Sequence, residues 1–337
     1  MVFVEKLRSR YDGAFVATVG GIVDRFKARN ASIEIQDSDR LDGRVGLVTG
    51  ANRGLGLAIA KALAARGADL RLACRSGIAA ACEEVGRAVT RDGNARGEQL
   101  DLGRLDSVES FVEDLANEGV RFDLVVLNAG IVPREARRTA DGLDESFQVN
   151  FLSNVLLVRR MLERDLFARG DGPMPRIVVV SSESHRSSPP IDWENFGSYR
   201  KWGMREAVEQ YGYGKLLLQT FTEELMRRTE GRISVHSLCP GAVRTDIGRE
   251  APTWAKPLLS VSMRLFFAEP EVAALPVTYL SASSAIEGKT GIYLHGKQRK
   301  DVRDDARDPA LGRRIWEASE RKLEELGHKV GGTREGA

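Results

Sequence analysis

Tyr211-Gly212-Tyr213-Gly214-Lys215 sets a phenol and an ammonium four residues apart, on one face if the segment is helical. A tyrosine, with an ordinary pKa near ~10, exchanges protons usefully only where a cation favours its phenolate. The spacing therefore predicts general acid–base chemistry at Tyr211, with Lys215 lowering its pKa. Tyr213 is two residues along, points elsewhere on a helix and is read as packing. A second constellation, Thr49-Gly50-Ala51-Asn52-Arg53-Gly54-Leu55-Gly56, joins a short apolar run to the helix-forming stretch Leu57–Arg66. Glycines there permit a tight turn and close approach of backbone to a pyrophosphate, and the helix N-terminus attracts that anion with its N–H groups and dipole. No Gly-Lys-Ser/Thr follows, which disfavours a nucleoside-triphosphatase phosphate loop. A proton donor beside a dinucleotide suits hydride exchange between an alcohol and a carbonyl, because the developing alkoxide needs a proton.

The elements that must position these groups alternate along the chain. Apolar runs at Val45–Thr49, Leu70–Cys74, Leu124–Asn128, Ile177–Ser181 and Val235–Cys239 suit strands buried on both faces. Helical spacing fills Leu55–Arg66, Leu105–Asn117, Glu145–Phe167 and Lys215–Arg228. That alternation predicts an α/β fold, a doubly wound Rossmann-type parallel sheet forming one catalytic domain over residues 43–296. Residues 1–42 read as an N-terminal helical extension, and 297–337 as a charged C-terminal extension with a fraying end. In the first of these, Phe3, Leu7, Tyr11, Phe15, Val19, Ile22 and Phe26 share one helix face, with Lys6, Arg8, Arg10, Arg25, Lys27 and Arg29 nearby. Residues 1–29 could lie on a membrane surface. Packing on the protein's own domain or a second subunit is favoured, since amphipathic helices usually face a protein core.

The TGxxxGxG spacing of Thr49–Gly56 resembles that of the short-chain dehydrogenases/reductases, and further motifs follow in that family's order over residues 44–296. The resemblance implies a catalytic tetrad of Asn150, Ser182, Tyr211 and Lys215. In it Ser182 polarises the substrate oxygen, with Ser181 the second choice, and Asn150 holds a water linking Lys215 to solvent. Lys215 would also reach the nicotinamide ribose. The cofactor would be met by Gly50, Asn52, Arg53, Gly54, Leu55 and Gly56 in the turn, and by Asp101 and Leu102 near the adenine. Asn128, Ala129 and Gly130 would border it, and Pro240, Gly241, Val243 and Thr245 would hold the carboxamide. Members that bind NAD carry an acid where Cys74 stands; Arg75 beside it and Arg53 in the turn could bracket a 2′-phosphate, which predicts NADP(H). Ser182 and Tyr211 are separated by 29 positions (211 minus 182), longer than the family norm, which implies an enlarged loop over the site. Ser181-Ser182-x-x-His185 and Ala73-Cys74-Arg75 look most like the retinol-dehydrogenase and protochlorophyllide-reductase branch.

Composition narrows the alternatives. The 337 residues carry a formal net charge of +2 with no basic stripe, which argues against nucleic acid as a partner. Cys74, Cys82 and Cys239 are too few for a disulfide framework and suit a reducing, cytoplasmic setting. His185, His236, His295 and His328 are scattered, so no metal site is expected. No run approaches the roughly 20 apolar residues of a membrane-spanning helix, and Gly13–Val23 is too short and glycine-broken for a signal peptide. The stretches Pro189–Phe196, Tyr199–Met204 and Pro252–Phe267, the last within a lid at about 250–267, predict either a hydrophobic small-molecule substrate or ordinary packing. The resemblance leaves a homo-oligomer open. Two other functions stand beside the alcohol/carbonyl reading. One is a carbon–carbon double-bond reductase with the same tyrosine and lysine. The other is a non-catalytic NADP(H)-binding scaffold, which loss of either residue would favour; both residues are present.

Overall fold

The computed structural model describes residues 33–90, 93–170, 172–241, 243 and 268–331. The amphipathic pattern of residues 1–29, the lid at about 250–267, Thr245 and the last six residues lie outside the described residues. The first three strands are β1 (Val45–Thr49), β2 (Asp69–Cys74) and β3 (Asn94–Gln99), linked by helices α1 (Gly54–Ala64) and α2 (Ile78–Gly86). Helix α3 (Leu105–Asn117) leads to β4 (Leu124–Leu127). A long helical stretch follows in three parts: α4 (Glu145–Phe147), a π turn over Gln148–Leu152, and α5 (Ser153–Glu163). Then come β5 (Arg176–Val180), a 3-10 turn over Glu183–Ser187, α6 (Ala207–Arg228), β6 (Ser234–Cys239) and α7 (Pro270–Ala282). Strands β7 (Tyr293–His295) and β8 (Gln298–Arg299) form a hairpin, and α8 (Pro309–Glu325) closes the described chain.

The eight strands form one sheet in the order β3-β2-β1-β4-β5-β6-β7-β8, parallel throughout except for β8. Central strands have helices on both faces, so Leu-Val-Val-Leu of β4 and Arg-Ile-Val-Val-Val of β5 are buried at every position. One face is covered by α1, α2 and α7 and the other by α3, α5, α6 and α8, giving two hydrophobic layers. Strand order reverses between β1 and β4. At such a switch point the two neighbouring connections leave to opposite faces and open a crevice beyond the carboxyl ends of the strands.

Helix α8 belongs to this packing despite its charge. Trp316 stacks on Phe221 of α6 at 5.2 Å between ring centroids, with the guanidinium groups of Arg159 and Arg228 at 4.6 and 4.3 Å from its ring. Arg159 is almost fully buried and is neutralised by Glu320 of α8 at 2.7 Å. An ion pair in that position needs its partner, because a lone buried guanidinium is strongly unfavourable. Truncating Trp316→Ala removes the stacked ring and is expected to cost about 3–5 kcal/mol of unfolding free energy. Urea denaturation measures it, and a loss below ~1 kcal/mol would show that α8 is not coupled to the core.

Candidate active site

Thr49, at the end of β1, fastens the switch point. Its Oγ1 accepts the N–H groups of Asn128 and Ala129, each at 3.0 Å, while the Asn128 side chain donates to the Thr49 carbonyl at 2.9 Å. Gly56 sits against this staple: a Cβ there would fall 2.2 Å from the Gly50 carbonyl oxygen and 2.5 Å from Asn128 Nδ2. Only glycine lets α1 start so close to the strand ends. Gly50 itself has φ +67°, the left-handed region that favours glycine. Asn52 donates to the Ser76 carbonyl at 2.9 Å, and the Cys74 thiol lies in bonding reach of the Ala51 and Asn52 N–H groups. Burial pushes that thiol up to about 11, so it stays neutral. The turn is thus tied to both neighbouring strands by short polar groups.

The N-cap of α1, Arg53, makes no side-chain bond to the helix, and the first turn carries no acid. Its leading N–H groups and dipole remain for an anion, which fits a dinucleotide pyrophosphate. Arg53 and Arg75 are both exposed near this turn. Asp101 is occupied locally, its Oδ1 accepting from Gly103 N at 2.9 Å. Leu102 is buried, with its carbonyl held by Ser153 Oγ at 2.7 Å, so its side chain serves the core. Gly241 takes φ +81° and donates its N–H to Cys239 Sγ at 3.4 Å; Val243 is buried and bridges to Ala268.

The tetrad converges from three elements. Asn150 lies in the π turn, a distortion common at functional sites. Its amide clasps Ile131, the residue after Gly130: Oδ1 accepts from Ile131 N at 2.8 Å and Nδ2 donates to Ile131 O at 2.9 Å and to Ser146 Oγ at 3.1 Å. Lys215, 3% exposed, donates to the Val180 carbonyl at 2.8 Å, and its Nζ is 5.8 Å from the centre of the Tyr211 ring. The Tyr211 side chain lies close enough to Ser182 for the serine to favour its phenolate slightly. Ser182 Oγ also donates to Ser184 Oγ at 3.1 Å, whereas Ser181 Oγ is buried without a hydrogen-bond partner. That separates the two serines in favour of Ser182. A Cβ on Gly130 would lie 3.0 Å from Asn150 Oδ1 and 3.6 Å from Lys215 Nζ, which brings these groups to one spot beside β4.

Two glycines inside α6 make the convergence possible. A Cβ at Gly212 would meet the Ser184 carbonyl at 2.7 Å, and one at Gly214 would meet Asn150 Cβ at 3.3 Å. Each costs helix stability by about 1 kcal/mol relative to alanine. In return α6 passes close to the serine turn on one side and the π turn on the other. The helix also starts at Ala207, one turn before Tyr211 and ahead of the stretch Lys215–Arg228 that helical spacing marked.

The electrostatics correct one expectation. Burial pushes the Tyr211 phenol up to about 12, against a smaller opposing effect of Ser182, and burial pushes Lys215 down to about 8. Desolvation governs both groups and favours their neutral forms, so the tyrosine stands above its ordinary value and not below it. Tyr211 is therefore a neutral phenol at pH 7.

Of the expected substrate walls, Pro189–Phe196 and Tyr199–Met204 pack mainly on the chain itself. Trp193 stacks on Phe196 at 5.9 Å beneath Arg314, Phe196 meets Phe147 edge-on at 5.1 Å, and buried Trp202 donates to Asp144 at 2.7 Å. The exposed large apolar side chains include Val132, Met204 and Val208, at 44%, 70% and 43%. Val132 is two residues beyond Gly130, and Val208 is three before Tyr211. Among the described residues no group of His, Cys, Asp and Glu could hold a metal ion, and no helix is long and apolar enough to cross a membrane. Several supporting groups escaped the sequence reading, namely Ser146, Ile131 and the Val180 carbonyl. Two of these act through backbone atoms, which leave no residue-type signal.

A lysine whose folded pKa of about 8 lies below its ordinary 10.5 binds its proton less tightly in the folded chain. Its charge therefore weakens the fold below about 8, by about 3 kcal/mol, and that cost fades as pH climbs from 8 toward 10.5. Lys215→Met is expected to raise the melting temperature at pH 7 by a few degrees, with a smaller gain at pH 10. Differential scanning calorimetry at the two pH values decides; a melting temperature lowered at pH 7 would mean that the ammonium is well compensated.

Known proteins are similar to this chain. A family model described as short chain dehydrogenase matches residues 44–256. Retinol dehydrogenase 13 of Mus musculus is 32% identical over 83% of this chain and 84% of its own length. Retinol dehydrogenase 14 of Homo sapiens is 31% identical over 91% of this chain and 96% of its own. Among solved structures, the angucycline C-6 ketoreductase LanV with bound NADP is similar at a TM-score of 0.58 and 26% identity, over 76% of this chain and 95% of that one. With the sheet order and the family match in agreement, the chain belongs to the short-chain dehydrogenases, in the branch that includes the retinol dehydrogenases.

Proposed function

We propose that the chain is an NADP(H)-dependent oxidoreductase acting on the alcohol/carbonyl pair of a hydrophobic small molecule. The observation that carries this reading is the buried Tyr211 side chain close to Ser182, with Lys215 one helical turn away and Asn150 beside Gly130. NADP(H) would be held by the turn residues Gly50, Asn52, Arg53, Gly54, Leu55 and Gly56, with Arg53 and Arg75 on the 2′-phosphate. Asp101 and Leu102 would flank the adenine, Asn128–Gly130 would border the cofactor, and Pro240, Gly241, Val243 and Thr245 would hold the carboxamide. When bound, the nicotinamide supplies or accepts the hydride.

The chain's own groups do the rest. Ser182 Oγ donates a hydrogen bond to the carbonyl oxygen and holds it beside the Tyr211 hydroxyl. As negative charge grows on that oxygen, Tyr211 gives it a proton, and the nearby Lys215 ammonium stabilises the phenolate left behind. In the oxidative direction the same proton returns to Tyr211. Below about 12 the phenol is neutral, the form from which a proton can be given. Exposed Val132, Met204 and Val208 suit an apolar ligand. The relatives named retinol dehydrogenase make all-trans-retinal the first aldehyde to try.

NADPH oxidation across retinal, fatty aldehydes, apolar ketones and enones tests the reading, with product analysis separating carbonyl from carbon–carbon reduction. Tyr211→Phe should keep NADPH affinity and lose roughly 10²–10⁴-fold in turnover; unchanged turnover would remove Tyr211 from the mechanism. Replacing Arg53 and Arg75 together by alanine should weaken NADPH binding by roughly 10- to 100-fold, the loss of one or two charge-assisted bonds. NADH binding should change little. Equal losses for the two cofactors, read by fluorescence titration, would undo the NADP(H) assignment.

A further inference from the structure

Ser182 is followed by Glu183, a carboxylate that the proton-transfer chemistry leaves unused, yet it is heavily bonded. Its Oε1 accepts from the Tyr293 hydroxyl of β7 at 2.7 Å, and its Oε2 receives Lys300, just after β8, at 2.5 Å and Arg186 at 3.0 Å. His295 lies near enough to act on it electrostatically, and the Glu183 backbone N–H lies in bonding reach of Cys239 Sγ. These groups, the Lys300 and Tyr293 bonds above all, overcome burial and hold the carboxyl down at about 2, so it is ionised at every working pH.

The same segment grips the rest of the turn. Arg303 donates to the carbonyl oxygens of His185 and Arg186 at 3.1 and 3.3 Å, and Arg186 donates to the Asp301 carbonyl. Within the turn, His185 Nδ1 lies 2.6 Å from the Ser182 carbonyl, its N–H donates to that oxygen at 3.1 Å, and its ring packs edge-on against Tyr293. The 3-10 turn Glu183–Ser187 is thus bonded to the 293–303 segment at both backbone and side chain. A five-residue turn has too few internal bonds to fix its own position, so these external ones must set it.

We infer that Glu183 is a positioning residue. Clamped by Tyr293 and Lys300 of the β7–β8 hairpin, it fixes the turn that aims Ser182 Oγ at the substrate oxygen and at Tyr211. The inference rests on the role proposed above for Ser182. It makes the hairpin at the sheet edge part of the active-site scaffold, acting on the serine and not on the cofactor.

The test uses the full chain and whichever carbonyl of the panel gives the fastest NADPH oxidation. Glu183→Ala and Tyr293→Phe are each compared with wild type, with Ser182→Ala, and with the double variants that combine them. The expected result for Glu183→Ala is a kcat lowered by roughly 10- to 100-fold, the scale of a misplacement of about 1 Å. Its NADPH dissociation constant should be unchanged. Tyr293→Phe should fall between it and wild type. In the Ser182→Ala background neither substitution should lower kcat further. Hydrogen exchange of the cofactor-free protein should quicken at the Glu183–Ser187 amides. A merely structural role would multiply with the serine substitution. Wild-type-like kcat in Tyr293→Phe and Glu183→Ala, or losses that multiply with Ser182→Ala, would overturn the proposal. If Glu183→Ala does not fold, the near-isosteric Tyr293→Phe decides alone. Equal turnover by wild type and Ser182→Ala, or none by wild type, would instead sink the serine's assignment and with it this inference.

Discussion

Holding an ammonium away from water is the constraint on which the rest of this site depends. Lys215 is buried on a helix that also carries Tyr211, and its proton goes to a backbone carbonyl rather than to a carboxylate. A carboxylate there would neutralise the lysine and spend the field that a phenolate needs. A carbonyl satisfies a donor while leaving the charge uncompensated, which is unfavourable for folding and useful for chemistry. The surrounding fold must therefore be rigid enough to keep α6 against β5 at that cost.

Rigidity comes from close approach. A Cβ would collide with the glycine turn at Gly56 and with the serine turn at Gly212, and at Gly214 it would press tightly on the π turn. Each glycine lets a helix approach a neighbouring segment by about the width of a methyl group, and each contact is then locked by polar bonds: Thr49 to Asn128 and Ala129, Asn150 to Ile131, Lys215 to Val180. The site is consequently built on strand ends and helix faces, which hold geometry more tightly than loops do.

Much of this was legible in the sequence, for identifiable reasons. Strands β1, β2, β4, β5 and β6 lie within one residue of the apolar runs, because strands covered on both faces must be apolar throughout. Helix α3 matches at both ends, its five buried side chains keeping clean helical spacing. The runs did not include β3, because Asn-Ala-Arg-Gly-Glu-Gln at the sheet edge needs no apolar faces. Helix α7 was hidden by Pro276 in its interior, and α8 by charges that surround a single seam of Ile315, Trp316 and Leu323. Spacing alone marked Tyr211 and Lys215, but their pKa directions depend on burial, and burial is a property of the packed chain. Glycines 212 and 214 were in plain view within the same pentapeptide. Their meaning required the neighbours that only folding brings.

The described C-terminal residues brace α6, the helix of Tyr211 and Lys215, from both ends. Near its start, α6 packs on the serine turn, which the 293–303 segment grips. Near its end, Phe221 and Arg228 embrace Trp316 of α8. Both ends are thus fixed by chain that follows β6, after every tetrad residue has already appeared in the sequence. Fragments ending at β6 would contain the whole expected tetrad, the whole glycine turn and the Lys215–Val180 bond, but would lack the grip of the 293–303 segment and the Trp316 stack. The residues expected to do chemistry lie in the first three quarters of the chain, and the remainder adds contacts that brace them.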